Sequence, residues 1–264
     1  MNGILFDLDG VVYNSETPIA GAAEALARIR ERGIPHLFVT NTSSRGREAL
    51  VEKLGRFGIP TAAEQIVTPC VAAAEWLRTR QAGQAGDSAA LFLAPKARAD
   101  FSGVRCLPED AESGARFVVV GDMGERWDYR SLNRAFRLLH SDPESVLVAL
   151  GMTRFWLGED GLRLDAAPFV AALECATGRR AVVLGKPAAS FFGLAVQKLG
   201  VPASEVAMVG DDIVTDIGGA KRAGLKAILL RTGKYRPADL DGVADGDRPD
   251  AVLDSIRDLP DFAM

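Results

Sequence analysis

Short apolar runs alternate with longer amphipathic stretches along this 264-residue chain. Leu5, Phe6 and Leu8 fill a run at residues 4–8 with the near-continuous apolar character of a strand buried on both faces. Residues 22–32 follow, with Ala25, Leu26 and Ile29 on one helical face and Gly33 as a stop. His36, Leu37, Phe38 and Val39 make a second strand-like run, ending in Thr40-Asn41-Thr42-Ser43-Ser44. A helix is expected over 45–57, stopped by Gly58. Another is expected over about 70–80, with Thr68 as N-cap and Pro69 at the first helical position. Strand–helix–strand–helix is the pattern of a doubly wound parallel sheet.

The composition shifts at 81–87, Gln-Ala-Gly-Gln-Ala-Gly-Asp, which reads as a linker. A second α/β set follows, with apolar runs at 90–94, 117–121 and 146–150 and helices over 129–140 and 168–177. The first pattern is expected to resume at 181–184. It continues with a helix over 189–199, a strand at 206–209, a glycine-rich helix start after Asp216, and strands at 227–230 and 251–253. Between Asp9 and Thr40 there is room for one helix and one strand only. From Thr40 to Lys186 there are about 145 residues, of which a core crossover takes roughly 40. About 100 are left, enough for a small domain. The expected fold class is α/β: a doubly wound, Rossmann-like parallel-sheet core over residues 1–80 and 182–264, with a smaller α/β domain inserted over 81–181.

Composition narrows the function. Hydrophobic residues at 48% and charged residues at 25% are ordinary for a soluble globular chain. A net charge of −4 with no basic block argues against a nucleic-acid partner. The first strand is expected to begin by residue 3 or 4, so no signal peptide is expected, and no apolar run is long enough to span a bilayer. A cytoplasmic protein without a membrane partner is expected. Cys70, Cys106 and Cys175 are odd in number, far apart and without metal spacing, so reduced and mostly buried thiols are expected. His36 and His140 have no ligand-like neighbours.

Asp7 and Asp9 flank Leu8 where the first run meets Gly10. Side chains alternate along a strand, so both carboxylates are expected on one side. There they repel unless a cation neutralises them or one takes a proton. Alone, such a pair is equally a turn or a capping pair. Three further stations follow, each expected at the carboxyl end of a strand, the usual ligand crevice of an open α/β sheet. Thr40-Asn41 offers a hydroxyl and an amide suited to phosphate oxygens. Gly185-Lys186-Pro187 offers a lone cation, and Gly210-Asp211-Asp212 offers carboxylates, with Asp216 a turn later. Several carboxylates, one ammonium and neutral donors suit a hard divalent ion, Mg2+ first, bridging protein and a phosphoryl group. The lysine would screen the negative charge of phosphate and nucleophile. Asp216 reads equally as a helix N-cap, and Gly218-Gly219 as close backbone packing.

In this order, Asp7-Leu8-Asp9-Gly10-Val11, Thr40-Asn41, Gly185-Lys186-Pro187 and Gly210-Asp211-Asp212 with Asp216 resemble the four motifs of the haloacid dehalogenase-like phosphohydrolases. The resemblance covers essentially the whole chain. The insertion between the second and third motifs is similar to the class II cap of p-nitrophenyl-phosphatase-like members. Residues 210–220 and 231–236 (Arg-Thr-Gly-Lys-Tyr-Arg) resemble the branch containing phospholysine/phosphohistidine/pyrophosphate phosphatase.

The resemblance implies a role for each station. Asp7 is the nucleophile that forms an aspartyl-phosphate. Asp9 protonates the leaving oxygen and later activates water. Asp7, the main-chain carbonyl of Asp9 and Asp211 hold Mg2+, and Asp212 or Asp216 completes or orients the shell. Thr40, Asn41 and Lys186 grip the phosphoryl oxygens, and Lys186 keeps Asp7 ionised. The implied activity is hydrolysis of a small phosphorylated metabolite: a phosphomonoester, pyrophosphate or phosphoramidate. Asp9 sets dehalogenation aside, because displacing halide from carbon needs no proton donor. A phosphotransferase using the same chemistry is one alternative, although mutases of this superfamily carry their cap between the first two motifs, where this chain has no space. A non-catalytic phosphometabolite-binding protein is the other, and it should lack Asp7, Asp9 or Lys186.

Within the insertion, Arg154 and Trp156 are candidates for reading the leaving group, with a loop of partly buried aromatics as the alternative. Relatives that hydrolyse nucleotides or aryl phosphates carry an Asn-x-Asp element near here, whereas this chain has Leu150-Gly151-Met152. Trp76 and Trp127 read as core or interface residues. Such caps can pair, so a homodimer is carried as an expectation that no apolar stripe in the sequence decides.

Overall fold

The computed structural model describes residues 1–158 and 161–262. In chain order, β1 (Gly3–Phe6) leads to a small hairpin, β2 (Tyr13–Asn14) and β3 (Thr17–Pro18), then α1 (Ala22–Glu31), β4 (His36–Val39), α2 (Arg47–Arg56), β5 (Ile66–Val67) and α3 (Pro69–Gln81). Next come β6 (Ala89–Phe92), β7 (Phe117–Val120), α4 (Tyr129–Ser141), β8 (Val146–Ala149), β9 (Phe155–Gly158), β10 (Gly161–Leu164), α5 (Ala166–Thr177) and β11 (Val182–Val183). The remainder is α6 (Ala189–Leu199), β12 (Val206–Gly210), α7 (Gly219–Arg222), β13 (Lys226–Leu230), β14 (Ala251–Leu253) and α8 (Leu259–Phe262). Contacts group the chain into two compact units: Met1–Thr40, Glu48–Val67 and Lys186–Met264 in one, Asn41–Arg47 and Thr68–Gly185 in the other.

The first unit is built on a six-stranded sheet in the order β14-β13-β12-β1-β4-β5, parallel throughout. β1 is central, with Phe6 opposite Val209 of β12 and Phe38 of β4. Ile4, Phe6 and Phe38 face a core shared with Leu26 and Ile29 of α1, Ile256 and Leu259. Gly3 stands against Leu199 of α6, where an added Cβ would meet that side chain at 2.6 Å. A strand covered this way needs apolar residues at successive positions, as the sequence has. From β1 the strand order runs outward both ways, through β4 and through β12. The carboxyl ends of β1 and β12 therefore flank the switch point, where open α/β sheets take their ligands.

The second unit carries a four-stranded sheet, β11-β8-β7-β6, and a separate antiparallel hairpin, β9-β10. Trp127 is core here, as expected: its ring stacks on Phe169 at 4.7 Å and Phe92 at 5.8 Å, and its indole N–H donates to the Gly121 carbonyl. Trp76 meets Phe117 edge-on at 5.5 Å. The 151–156 cluster opens the hairpin, with Arg154 before β9 and Trp156 within it, both exposed. Leu162 and Leu164 of β10 are exposed as well.

Several expectations differ from the fold. β1 ends at Phe6, because the Leu8 carbonyl takes the Val12 and Tyr13 amides and turns the chain. Asp7 and Asp9 therefore do not share a strand face. Residues 181–184 do not resume the core sheet: Val182 and Val183 pair with Val148 and Ala149 as the edge of the second sheet. The helix expected at 70–80 forms, capped by the Thr68 side chain on the Val71 amide, but it groups with the second unit. Its Gln81 brackets the Arg105 backbone through both amide atoms, and Arg78 bonds the Ser102 carbonyl. Of the three free thiols, only Cys70 is buried. No helix among the described residues is long and apolar enough to cross a membrane.

Candidate active site

Two neighbouring strand ends deliver two carboxylates. Asp7 directly follows β1, is buried, and donates its amide to the Val209 carbonyl at 2.9 Å. Asp211 directly follows β12 and is also buried. The chain then enters a π-helical turn, Ile213–Gly218, in which the Asp216 and Ile217 amides both reach the Asp212 carbonyl at 3.0 and 3.2 Å. Such turns recur at functional sites, and this one buries Asp216 completely. Oxygens of Asp7, Asp211 and Asp216 lie within 4.8 Å of one another.

Lys186 joins two members of this cluster. Its ammonium is 2.7 Å from Asp7 Oδ1 and 2.6 Å from Asp216 Oδ1, and 3.4 Å from the Val39 carbonyl. Two carboxylates and a main-chain carbonyl thus take up its N–H groups. Burial alone would pull the ammonium pKa down, but the charges of Asp216 and Asp7 outweigh it, and the pKa rises. Lys186 stays charged. Val39 is the last residue of β4, so Thr40, itself buried, follows directly on the carbonyl that Lys186 touches. Asn41 Oδ1 lies beside Gly185, where an added Cβ would approach it to 3.0 Å.

Asp211 is held differently. Its Oδ2 accepts from the Lys234 amide at 2.6 Å, while its Oδ1 is buried and has no partner among the described residues. Gly10 and Gly233 press on this carboxylate from two loops. A Cβ at either would fall 2.1 Å from Oδ2, and both glycines hold positive φ, 93° and 56°. Thr232 Oγ1 fastens the loops by donating to the Gly10 carbonyl at 2.5 Å. Burial, then the charges of Asp7 and Asp216, push the Asp211 carboxyl up to about 8. Burial also raises Asp216, to about 6, against the pull of Lys186. Three clustered carboxylates, one of them with an oxygen that has no partner among the described residues, make a donor set that suits a hard divalent cation.

Other expected residues fall outside this cluster. Asp9 is exposed, and its Oδ1 accepts from the Ser15 amide at 3.1 Å. Asp212 Oδ1 caps the π-helical turn, taking the Val214 and Thr215 amides at 2.9 Å each, so the capping role expected of Asp216 belongs to Asp212. Burial would raise the Asp212 carboxyl, but those amides and Lys234 hold it below the usual range. Arg154 and Trp156 belong to the second unit. Sequence reasoning missed the Lys234 amide. Its signal was the glycine at 233 just past a strand end, inside a motif noticed only for its resemblance.

Residues 4–104 match the model described as haloacid dehalogenase-like hydrolase, and residues 183–259 match a second, HAD-hydrolase-like model. Phospholysine phosphohistidine inorganic pyrophosphate phosphatase of Homo sapiens is 37% identical over 243 residues, 90% of this chain and 86% of that protein. Among solved structures, 4-nitrophenylphosphatase from Thermotoga maritima superposes with a TM-score of 0.87 at 28% identity, covering 99% of this chain and 97% of that one. Glycerol phosphate phosphatase from Mycobacterium tuberculosis, in complex with magnesium, gives a TM-score of 0.86 at 28% identity over 98% of this chain and 76% of that one. The same protein has also been solved with calcium. Sheet order, inserted unit, motif order and relatives agree: this chain is an enzyme of the haloacid dehalogenase-like hydrolase family, among relatives that are phosphatases.

Proposed function

We propose that the chain is a Mg2+-dependent phosphatase that hydrolyses a small phosphorylated metabolite through a phosphoryl group carried on Asp7. The observation that carries this reading is the Lys186 ammonium, buried between Asp7 and Asp216, in a cluster whose third carboxylate, Asp211, has an oxygen without a partner among the described residues. The nucleophile in this reading is the Asp7 carboxylate, and the Lys186 ammonium sets a positive charge 2.7 Å from it. The Asp7 oxygen not taken by Lys186 attacks phosphorus. Asp9 gives its proton to the departing oxygen and afterwards takes one from water, which frees Asp7. Asp216 orients Lys186 rather than serving as a metal ligand, since both its oxygens are engaged, Oδ1 by Lys186 and Oδ2 by the Asp212 amide at 3.3 Å. Thr40 and Asn41 supply neutral donors for the phosphoryl oxygens.

Asp7, Asp211 and the Asp9 carbonyl are the residues that would hold the metal. A divalent ion there supplies positive charge against the transferring phosphoryl group. The substrate class is a phosphomonoester, pyrophosphate or phosphoramidate, in keeping with the names of the relatives. Arg154 and Trp156 are the inserted unit's candidates for recognising it. The test is release of nitrophenol from 4-nitrophenyl phosphate with and without Mg2+. Turnover that stops with chelator and returns with Mg2+ is expected. Metal-independent turnover contradicts the reading, and no turnover over a broad panel of phosphate compounds favours a binding protein.

The raised Asp211 carboxyl adds a pH signature. Below about 8 the metal-free folded protein keeps a proton there that the unfolded chain releases above about 4. Its stability from this group therefore falls as pH rises through that window. The metal needs the ionised carboxylate, so its affinity rises with pH over the same range. The thermal-midpoint gain on adding Mg2+ should grow steadily from pH 6 to pH 8. A gain that is flat with pH contradicts a metal at Asp211.

A further inference from the structure

Lys53 lies on the buried face of α2 with Leu50 and Leu54, its side chain only 5% exposed. A leucine or methionine would fill that space without taking an ammonium out of water. Instead the ammonium stands 3.9 Å from the centre of the Tyr13 ring and 3.1 Å from Glu16 Oε1. A ring face and a carboxylate together meet its charge. Both partners lie in the hairpin segment that follows Asp9. The neighbouring turn of α2 adds to the grip: Phe57, just past its end, packs on Tyr13 at 5.8 Å, and Arg56 reaches Glu16 at 3.5 Å.

The hairpin has two residues in each strand, too little to hold a shape by itself. Its turn puts Ser15 at a φ of 51°, where non-glycine residues are uncommon. In that conformation the Ser15 amide donates to Asp9 Oδ1. The Tyr13 carbonyl, one step away, accepts the Gly10 amide at 2.7 Å. The Asp9 carboxylate is thus aimed by a turn that one buried ammonium pins on both flanks.

We propose that Lys53, acting through Tyr13 and Glu16, is a positioning residue for Asp9 in proton transfer to the leaving group. This rests on the phosphatase reading above. In the first transfer an Asp7 oxygen bonds to phosphorus, the bond from phosphorus to the leaving oxygen breaks, and the Asp9 proton goes to that oxygen. Nitrophenolate departs with little help, whereas an alkoxide needs the proton. Loss of aim at Asp9 therefore shows selectively with poor leaving groups, while general damage to the fold lowers every substrate alike.

The test compares kcat/KM on 4-nitrophenyl phosphate, phenyl phosphate and glycerol phosphate for wild type, Lys53→Met, Lys53→Arg and Glu16→Gln. This constant reports the first transfer and not the later attack of water. Lys53→Met and Glu16→Gln are each expected to lose ~10-fold or more on glycerol phosphate, a fraction of full acid catalysis, and under ~3-fold on 4-nitrophenyl phosphate. Lys53→Arg should recover most of the difference. Glu16 is 58% exposed, so its variant reads the effect even where Lys53→Met folds poorly. Equal losses across the three substrates, or none, overturn the proposal. Wild-type turnover that survives Asp7→Asn overturns the phosphatase reading instead, and this proposal with it.

Discussion

Asp7→Asn should lower turnover of any phosphorylated substrate by ~10⁴-fold or more, the scale on which removing a nucleophile acts. Asparagine keeps the shape and loses the charge, so little else changes. Lys186 retains Asp216 at 2.6 Å, and Asp211 keeps its bond from the Lys234 amide. The variant should therefore fold with a thermal midpoint near that of the wild type. Rates from progress curves and midpoints from scanning calorimetry check the two halves separately. A variant that is folded and still active contradicts the assignment of Asp7. One that is inactive because it is unfolded decides nothing about chemistry, which is why both are measured.

Lys186→Met is expected to be somewhat less damaging to activity and far more damaging to stability. Removing the ammonium leaves Asp7 and Asp216 buried with no countercharge, and breaking a buried pair by deleting one partner costs about 3–5 kcal/mol. Activity should fall by ~10³-fold or more, since the loss of preorganised positive charge is added to the loss of the group that orients Asp7. The second change that separates the two effects is Asp216→Asn. In the double variant the uncompensated charge is reduced, so the thermal midpoint should recover much of its fall while turnover stays lost. Recovery of both would mean that Lys186 serves only the fold.

The candidate cluster was legible in the sequence because its residues follow strand ends, and strand ends are marked by apolar runs that stop. Residues 4–8, 36–39 and 206–209 each ended where a functional group began, and the sheet brings Asp7 and Asp211 to adjacent ends. What escaped was set by pairing and turn geometry rather than by local pattern. Val182 and Val183 read as a core strand because they are apolar and precede Lys186, yet which sheet they join depends on a partner, Val148 and Ala149, far along the chain. β5 is two residues long and gives no periodic signal. Asp7 and Asp9 looked like neighbours on one face, but a turn on the Leu8 carbonyl separates a buried aspartate from an exposed one. Asp212 and Asp216 could not be told apart as cap and partner until a π-helical turn fixed which one meets Lys186. Lys53 carried no signal, because a lysine on the buried face of a helix looks like any other helix lysine until its partners are known.

In the proposed reaction, phosphorus becomes bonded to Asp7. The most direct measurement uses Asp9→Asn, which should accumulate the phosphoryl enzyme because water activation is lost. The variant is mixed with 4-nitrophenyl phosphate and Mg2+, quenched in acid, and its peptides are analysed by mass spectrometry. One phosphoryl group on the peptide containing Asp7, absent when Asp7 is also replaced by Asn, is the predicted result. A phosphoryl group on any other residue, or none while nitrophenol is released, would contradict it.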